Sequence, residues 1–240
     1  MRVDRDGPRA TITLDSPTRR NALSGALLAD LLAALDTAAA DDVGVVVLAH
    51  TGPAFCAGAD LSERSSGPAD STPLVRAIER ISELPVPVIA AVRGPVRAGG
   101  VGLMAACDLV VVAESVTFAF TEVRIGVAPA IISVPLLARC GWSALAGPFL
   151  TGEPFDAADA ARMGLVTHVT DDVDATVERL CEGVLAGGPS AVAATKRLLR
   201  RPGTMPEMAA LSESLFASSE AAEGIAAFLD KRAPAWAARS

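Results

Sequence analysis

Two short apolar runs, each delivered into a glycine-centred turn, constrain this chain more than any other feature. Val45–Ala49 leads into AFCAGADL (Ala54 to Leu61), and Val86–Val92 leads into RGPVRAGGVGL (Arg93 to Leu103). A short β-branched run that ends at small residues and Gly reads as a buried parallel strand. Turns made of Gly and Ala let backbone N–H groups approach a ligand with no side chain in the way. Two such turns on adjacent strands can aim two backbone donors at one oxygen, the arrangement of an oxyanion hole built from main chain.

The rest of the chain supplies strand–turn–helix units first and a helical tail second. Arg9–Leu14 alternates as a half-exposed strand and ends at the turn cluster Asp15–Ser16–Pro17. Ser24 is placed to cap a helix whose apolar stripe is Leu27, Leu28, Leu31, Leu32 and Leu35, closed by Asp41–Asp42. Ser62–Thr72, polar and rich in Ser, Gly and Pro, reads as a mobile surface loop over the site. Helices are expected at Pro73–Leu84 and Val101–Ala106, and strands at Asp108–Ala113, Thr117–Phe120 and Leu165–Val169. Thr121–Ile132 is a connector with one acid, Glu122, among apolar neighbours. Further helical patterns start at Ile131, Trp142, Ala157, Val173, Ser190, Glu207 and Ser219. No repeat and no linker divides the chain. We therefore expect a single structural unit, with a core over 1–185 and a helical region over 186–240.

At 240 residues the chain is ample for one sizeable core. A net charge of −7 argues against a nucleic-acid surface as its main purpose. Cys56, Cys107, Cys140 and Cys181 are scattered without a C-x-x-C pair, which reads as buried free thiols in a reducing cytoplasm. His50 and His168 sit at no ligand spacing, so no metal site is expected. His50 reads as an exposed or satisfied loop residue between strand and turn, His168 as structural at a strand end, and Trp142 as a core or interface anchor. No apolar run reaches the ~20 residues of a membrane span, and the N-terminus lacks the pattern of a signal peptide.

Five segments taken together, RRNALS (Arg19–Ser24), GPAFCAGADL (Gly52–Leu61), RGPVRAGGVGL–ACD (Arg93–Asp108), FTEVRIGVAP (Phe120–Pro129) and FLDKRAP (Phe228–Pro234), resemble the crotonase superfamily, the enoyl-CoA hydratase/isomerase fold. The resemblance implies an α/β spiral of ββα units with trimerising C-terminal helices, often two trimers stacked. It also implies a coenzyme A thioester as substrate, with no separate cofactor. Carried over by position, the backbone N–H groups of Ala59 and Gly99 would form the oxyanion hole. The family's coenzyme A contacts map to Arg20, Ala22, Ala57, Asp60 and Leu61. Phe228 and Lys231 match tail positions that reach coenzyme A from a neighbouring subunit.

Hydratases of this family hold water between two Glu side chains. The second matches Glu122, and partial burial between Phe120 and Val123 would raise its pKa, which suits a group that takes and gives protons. The first falls at Gly102, which has no side chain. The sequence reading is therefore a hydratase with Glu122 as the sole acid/base. The alternatives are a Δ3,Δ2-enoyl-CoA isomerase using the same Glu, or a non-catalytic acyl-CoA-binding homologue. Asp60 reads as a structural cap without a proton-transfer role, and Arg97 as either a solvated charge or a contact to an acidic acyl group.

Overall fold

Val45, Val46, Val47 and Leu48 are all buried, and this unbroken run forms the centre of a sheet covered on both faces. In the computed structural model, which describes residues 1–40, 42–64 and 70–239, the chain begins with β1 (Arg2–Asp6) and β2 (Arg9–Leu14). It continues through α1 (Gly25–Ala40), β3 (Val45–His50), α2 (Leu61–Arg64), α3 (Thr72–Glu83), β4 (Val88–Val92), β5 (Val96–Arg97) and α4 (Gly99–Ala106). Next come β6 (Leu109–Ala113), β7 (Thr117–Ala119), α5 (Ala130–Cys140), α6 (Trp142–Thr151), β8 (Phe155–Asp156), α7 (Ala157–Arg162) and β9 (His168–Thr170). Four helices finish it: α8 (Val173–Leu185), α9 (Pro189–Arg200), α10 (Met205–Phe216) and α11 (Ser219–Leu229).

The main sheet has the order β1-β2-β3-β4-β6-β9 and is parallel except for β1, which pairs antiparallel with β2. Alternation along the strands sorts the side chains. Val46, Leu48, Val88, Ala90, Val110 and Val112 join the larger core with α1, α3 and α4. Val45, Val47, Ile89, Ala91 and Val111 meet Val173, Val177 and Cys181 of α8 on the other face. A small second sheet, β5-β7-β8, stands beside the second glycine turn.

Several expectations change. β1 has every residue exposed and carries no apolar pattern, so the sequence gives no strand signal there. Leu61–Arg64 is a helical turn, not loop. Asp41 and residues 65–69 of the predicted loop lie outside the described residues, and Thr72 opens α3. Cys140 is only half-buried, unlike the other three free cysteines. Trp142 is 76% exposed, which removes the core reading and leaves the interface one. The Ser24 cap is as expected: its Oγ accepts the Leu27 N–H at 3.2 Å.

The 185/186 boundary is not a break in packing. Lys196 of α9 is buried, donates to the Ile81 and Val86 carbonyls at 3.2 and 2.9 Å, and pairs with Asp108 at 2.8 Å. Arg200 joins the same carboxylate at 2.7 Å. A buried charge is tolerated only when paired and hydrogen-bonded, so α9 is tied to the core at a defined place. Among the described residues no helix is long and apolar enough to cross a membrane.

Candidate active site

The two glycine turns are pressed together, and their glycines make that possible. A Cβ on Gly58 would lie 3.0 Å from Ala98 Cβ, and Gly58 holds φ +94, a conformation L side chains rarely adopt. A Cβ on Gly100 would fall 2.5 Å from Cys56 Cβ, and one on Gly94 would fall 2.6 Å from the Pro53 carbonyl oxygen. A ladder runs alongside: Phe55 N–H donates to the Pro95 carbonyl (3.1 Å) and Arg97 N–H to the Cys56 carbonyl (2.9 Å). The first turn is thus bonded to β5 of the second.

The segment RRNALS holds the first turn from its other side. Leu23 N–H donates to the Gly58 carbonyl at 2.8 Å, and Asp60 N–H donates to the Leu23 carbonyl at 3.3 Å. In such a parallel bridge the flanking residues bond the partner, so the intervening Ala59 directs its own N–H to the opposite side. Gly99 N–H is the first amide of α4 and has no acceptor within the helix. Ala98 reaches this helix start with φ +47, strained for a residue with a Cβ. Both expected donors therefore stand on touching turns.

Glu122 arrives by the second sheet. β5 pairs in parallel with β7, Arg97 opposite Ala119, and Ala98 N–H donates to the Ala119 carbonyl at 3.0 Å. The chain then passes buried Phe120 and enters a 3-10 turn over Glu122–Ile125. Among the described residues Glu122 Oε2 is buried without a hydrogen-bond partner. Burial pushes its carboxyl above the usual carboxylate range, with a backbone hydrogen bond opposing. A carboxyl that is costly to ionise and unpaired is suited to trading protons.

The position expected to lack a side chain is also filled from elsewhere. A Cβ on Gly102 would lie 2.4 Å from Ile132 Cγ2 and 3.3 Å from Ile78 Cδ1. The Ile132 side chain occupies the volume next to Gly102.

The coenzyme A candidates divide. Ala57 N–H donates to the Arg20 carbonyl at 3.0 Å, and Arg20, Ala22, Ala57, Asp60 and Leu61 all belong to the two bonded segments. Asp60 is buried and structural: its carboxylate accepts from Ser62 Oγ at 2.6 Å and Ser62 N–H at 3.0 Å, and pairs with Arg19 at 2.8 Å. The Ser62 hydroxyl above all holds it below the usual carboxylate range. Phe228 and Lys231 stand apart from these segments, exposed at the end of α11.

Sequence reasoning missed Asn21. It is fully buried at φ +52, its Nδ2 donates to the Thr51 and Ala54 carbonyls at 3.0 and 2.9 Å, and its Oδ1 accepts from Ser16 N–H at 2.7 Å. It locks RRNALS onto the end of β3. The signal available was Asn itself, which tolerates left-handed backbone better than most residues. His50 is not a loop residue but ends β3: its Nε2 accepts the Arg93 N–H at 3.0 Å, while among the described residues Nδ1 is buried without a partner. Burial pushes the Cys56 thiol up to about 12, which makes it a poor nucleophile.

The enoyl-CoA hydratase/isomerase profile matches residues 8–239, a span that includes both turns and Glu122. The chain belongs to the enoyl-CoA hydratase/isomerase family. Enoyl-CoA hydratase EchA19 of Mycobacterium tuberculosis is 33% identical over 250 residues, covering 97% of this chain and 94% of its own. A Thermus thermophilus relative is 39% identical over 245 residues, covering 95% of this chain and 97% of its own. The crystal structure of an enoyl-CoA hydratase from Mycobacterium smegmatis superposes with a TM-score of 0.90 at 36% identity, covering 98% of this chain and 97% of the other. The crotonase fold follows. Within this family the glycine turns and Glu122 become the centre of interest.

Proposed function

We propose that this protein is an enoyl-CoA hydratase with one acid/base residue, Glu122. The observation that carries this is the buried, unpartnered Glu122 Oε2, held by the Ala98–Ala119 hydrogen bond beside the turn that bears Gly99 N–H. Glu122 takes a proton from water as the water oxygen bonds to C3 of the enoyl thioester. The electron pair of the double bond moves onto the thioester oxygen, where the N–H groups of Ala59 and Gly99 hold the enolate. The enolate then collapses as Glu122 returns the proton to C2, so the net change is the addition of one water. Removing one donor of such a pair typically costs about 3–4 kcal/mol of transition-state stabilisation. The scheme needs no metal or redox group, because the proton carrier and the donors belong to the chain.

A second reading has its own support. Ile132 fills the space beside Gly102, the position at which the family's first carboxylate is expected. A single Glu suffices to move a proton between C2 and C4, the Δ3,Δ2-enoyl-CoA isomerase reaction. The test is turnover on a straight 2-enoyl-CoA, a 3-enoyl-CoA and 3-methylglutaconyl-CoA, with products separated by mass. Gain of one water supports the hydratase; migration of the double bond at constant mass supports the isomerase. Binding with neither product contradicts both.

We also propose that the working form is a homotrimer or a dimer of trimers in the cytoplasm. In the single chain Phe216, Phe228 and Leu229 are 72%, 80% and 72% exposed, a large apolar surface to leave in water. Phe228 and Lys231 then reach the coenzyme A of a neighbouring copy. A monomer in sedimentation at micromolar concentration would contradict this.

A further inference from the structure

Glu122 and the Gly99 N–H belong to two parts of the fold that meet at one short joint. On one side, the second glycine turn is bonded to the first through the Phe55 and Arg97 N–H groups. On the other, β7 pairs with β8, and Phe118 and Phe120 pack on Phe155 at ring-centroid distances of 5.4 and 5.5 Å. The joint is β5 on β7: Val96 and Arg97 lie opposite Phe118 and Ala119, and the Ala98 N–H follows on the Ala119 carbonyl at 3.0 Å. A two-residue strand offers few ladder bonds to fix its register.

The Arg97 side chain supplies what the backbone lacks. It is half-buried and folds back along its own joint: Nη1 donates to the Val96 and Thr117 carbonyls at 3.0 and 2.6 Å, and Nη2 to Thr117 Oγ1 at 2.9 Å. Two of these three bonds cross to β7, two positions before Ala119. Bonds from a charged donor are stronger than those between neutral groups, and the guanidinium fork fixes direction as well as distance. Burial pushes its pKa below the ordinary Arg range, with no acid nearby to oppose it. Arg97 is therefore not a solvated charge, and among the described residues it has no carboxylate partner. Next in the chain stands Ala98, at φ +47 and ψ −122, a conformation that persists only where its surroundings impose it. Arg97 fixes the chain on one side of it and α4 on the other.

We propose that Arg97 is a positioning residue: by clipping β5 to Thr117 it sets the register that places Glu122 relative to the Gly99 N–H. The role rests on the reading of these two groups as the acid/base and an oxyanion donor. A slip of one residue would carry β5 about 3.3 Å along β7 and turn its side chains to the opposite face. Misplacement of reacting groups by about 1 Å can cost about 10²-fold in rate. A side chain that touches no substrate can thus govern turnover.

The test uses the full chain with Arg97→Met, which keeps the apolar stem and loses all three bonds, and Arg97→Lys, which keeps a charged donor without the fork. kcat and KM are measured on the thioester that the wild type converts best, and deuterium exchange of the Ala98 amide is followed by NMR. Arg97→Met should lower kcat about 10–100-fold with KM within about threefold, and Arg97→Lys should recover part of the loss. Ala98 exchange should quicken about tenfold while the amides of β3 and β4 keep their protection. A merely structural role would lower stability and leave kcat of the folded protein unchanged. A folded Arg97→Met with wild-type kcat therefore overturns the proposal. A raised KM at unchanged kcat overturns it too, since Arg97 would then be a substrate contact. If Arg97→Met does not fold, Arg97→Lys and Thr117→Val decide: lowered kcat at unchanged KM supports the role, and wild-type kcat in both overturns it. If the wild type converts no thioester, the hydratase reading has failed, and the Ala98 amide decides whether Arg97 holds the joint: faster exchange supports the clip, and unchanged protection overturns it.

Discussion

Ile132 Cγ2 stands 2.4 Å from the place a Cβ on Gly102 would take, closer than side-chain atoms pack. Gly102 lies one helical turn beyond Gly99 on α4, so both share a face. The missing carboxylate and the isoleucine are thus one feature: α5 approaches α4 as closely as it does because position 102 has no side chain.

Gly102→Glu therefore meets the Ile132 side chain and does not restore a two-carboxylate site by itself. Overpacking of this kind costs roughly 1–3 kcal/mol. In urea denaturation the double variant Gly102→Glu/Ile132→Ala should lose at least about 1 kcal/mol less than the sum of the two single losses. Additive losses would show that the two residues do not compete for the space.

Asn21→Ala removes an amide that serves two buried carbonyls and one N–H, and places a Cβ-bearing residue without local compensation at φ +52. The expected destabilisation is about 2–4 kcal/mol, with a raised KM because RRNALS holds Ala57–Asp60 in place. Asn21→Gly keeps the left-handed backbone at ease and loses only the bonds, so it should be less destabilised than Asn21→Ala. Equal losses would remove the backbone part of the argument.

His50 predicts a pH dependence of stability. Burial above all, with a smaller contribution from the Arg93 charge, lowers its pKa below the ordinary 6.5. Arg93 itself is paired with Asp174. Since Nε2 accepts the Arg93 N–H, the folded protein requires the neutral ring. The unfolded chain then binds more protons below pH 6.5. Stability is complete above that pH and declines as pH falls toward the folded pKa. His50→Gln, which can still accept from Arg93, should flatten the loss below about pH 6.5. Parallel curves for the two proteins would mean that His50 does not titrate in this window.

Much of this was legible in the sequence, and the particular residues show why. The runs at β3 and β4 are apolar on both faces because helices cover both, and the turns after them are small because each presses on the other. Glu122 was conspicuous as an acid among Phe120 and Val123, and the structure buries its Oε2. What stayed hidden depends on contacts distant in sequence. Nothing near Gly102 names Ile132 as its neighbour, and nothing near Arg97 shows that Thr117 binds it. β5 is a pair of residues inside a turn, too short for any alternation. β1 alternates only among exposed side chains, so its pairing with β2 leaves no hydropathy trace. The partners of Phe228 and Lys231 cannot be read from one copy of the chain.

The central claim is that Glu122 alone carries the proton, and Glu122→Gln tests it most directly. Its carboxyl pKa is raised by burial, so ionisation above that pKa costs the folded state, and the neutral amide is spared that cost. The account predicts a variant no less stable than wild type at neutral pH whose turnover on the best thioester falls about 10²–10⁴-fold. In the wild type kcat/KM should fall on the acid side through a pKa above the ordinary 4.5 of Glu, where the base is protonated. A folded Glu122→Gln with wild-type turnover would contradict the account.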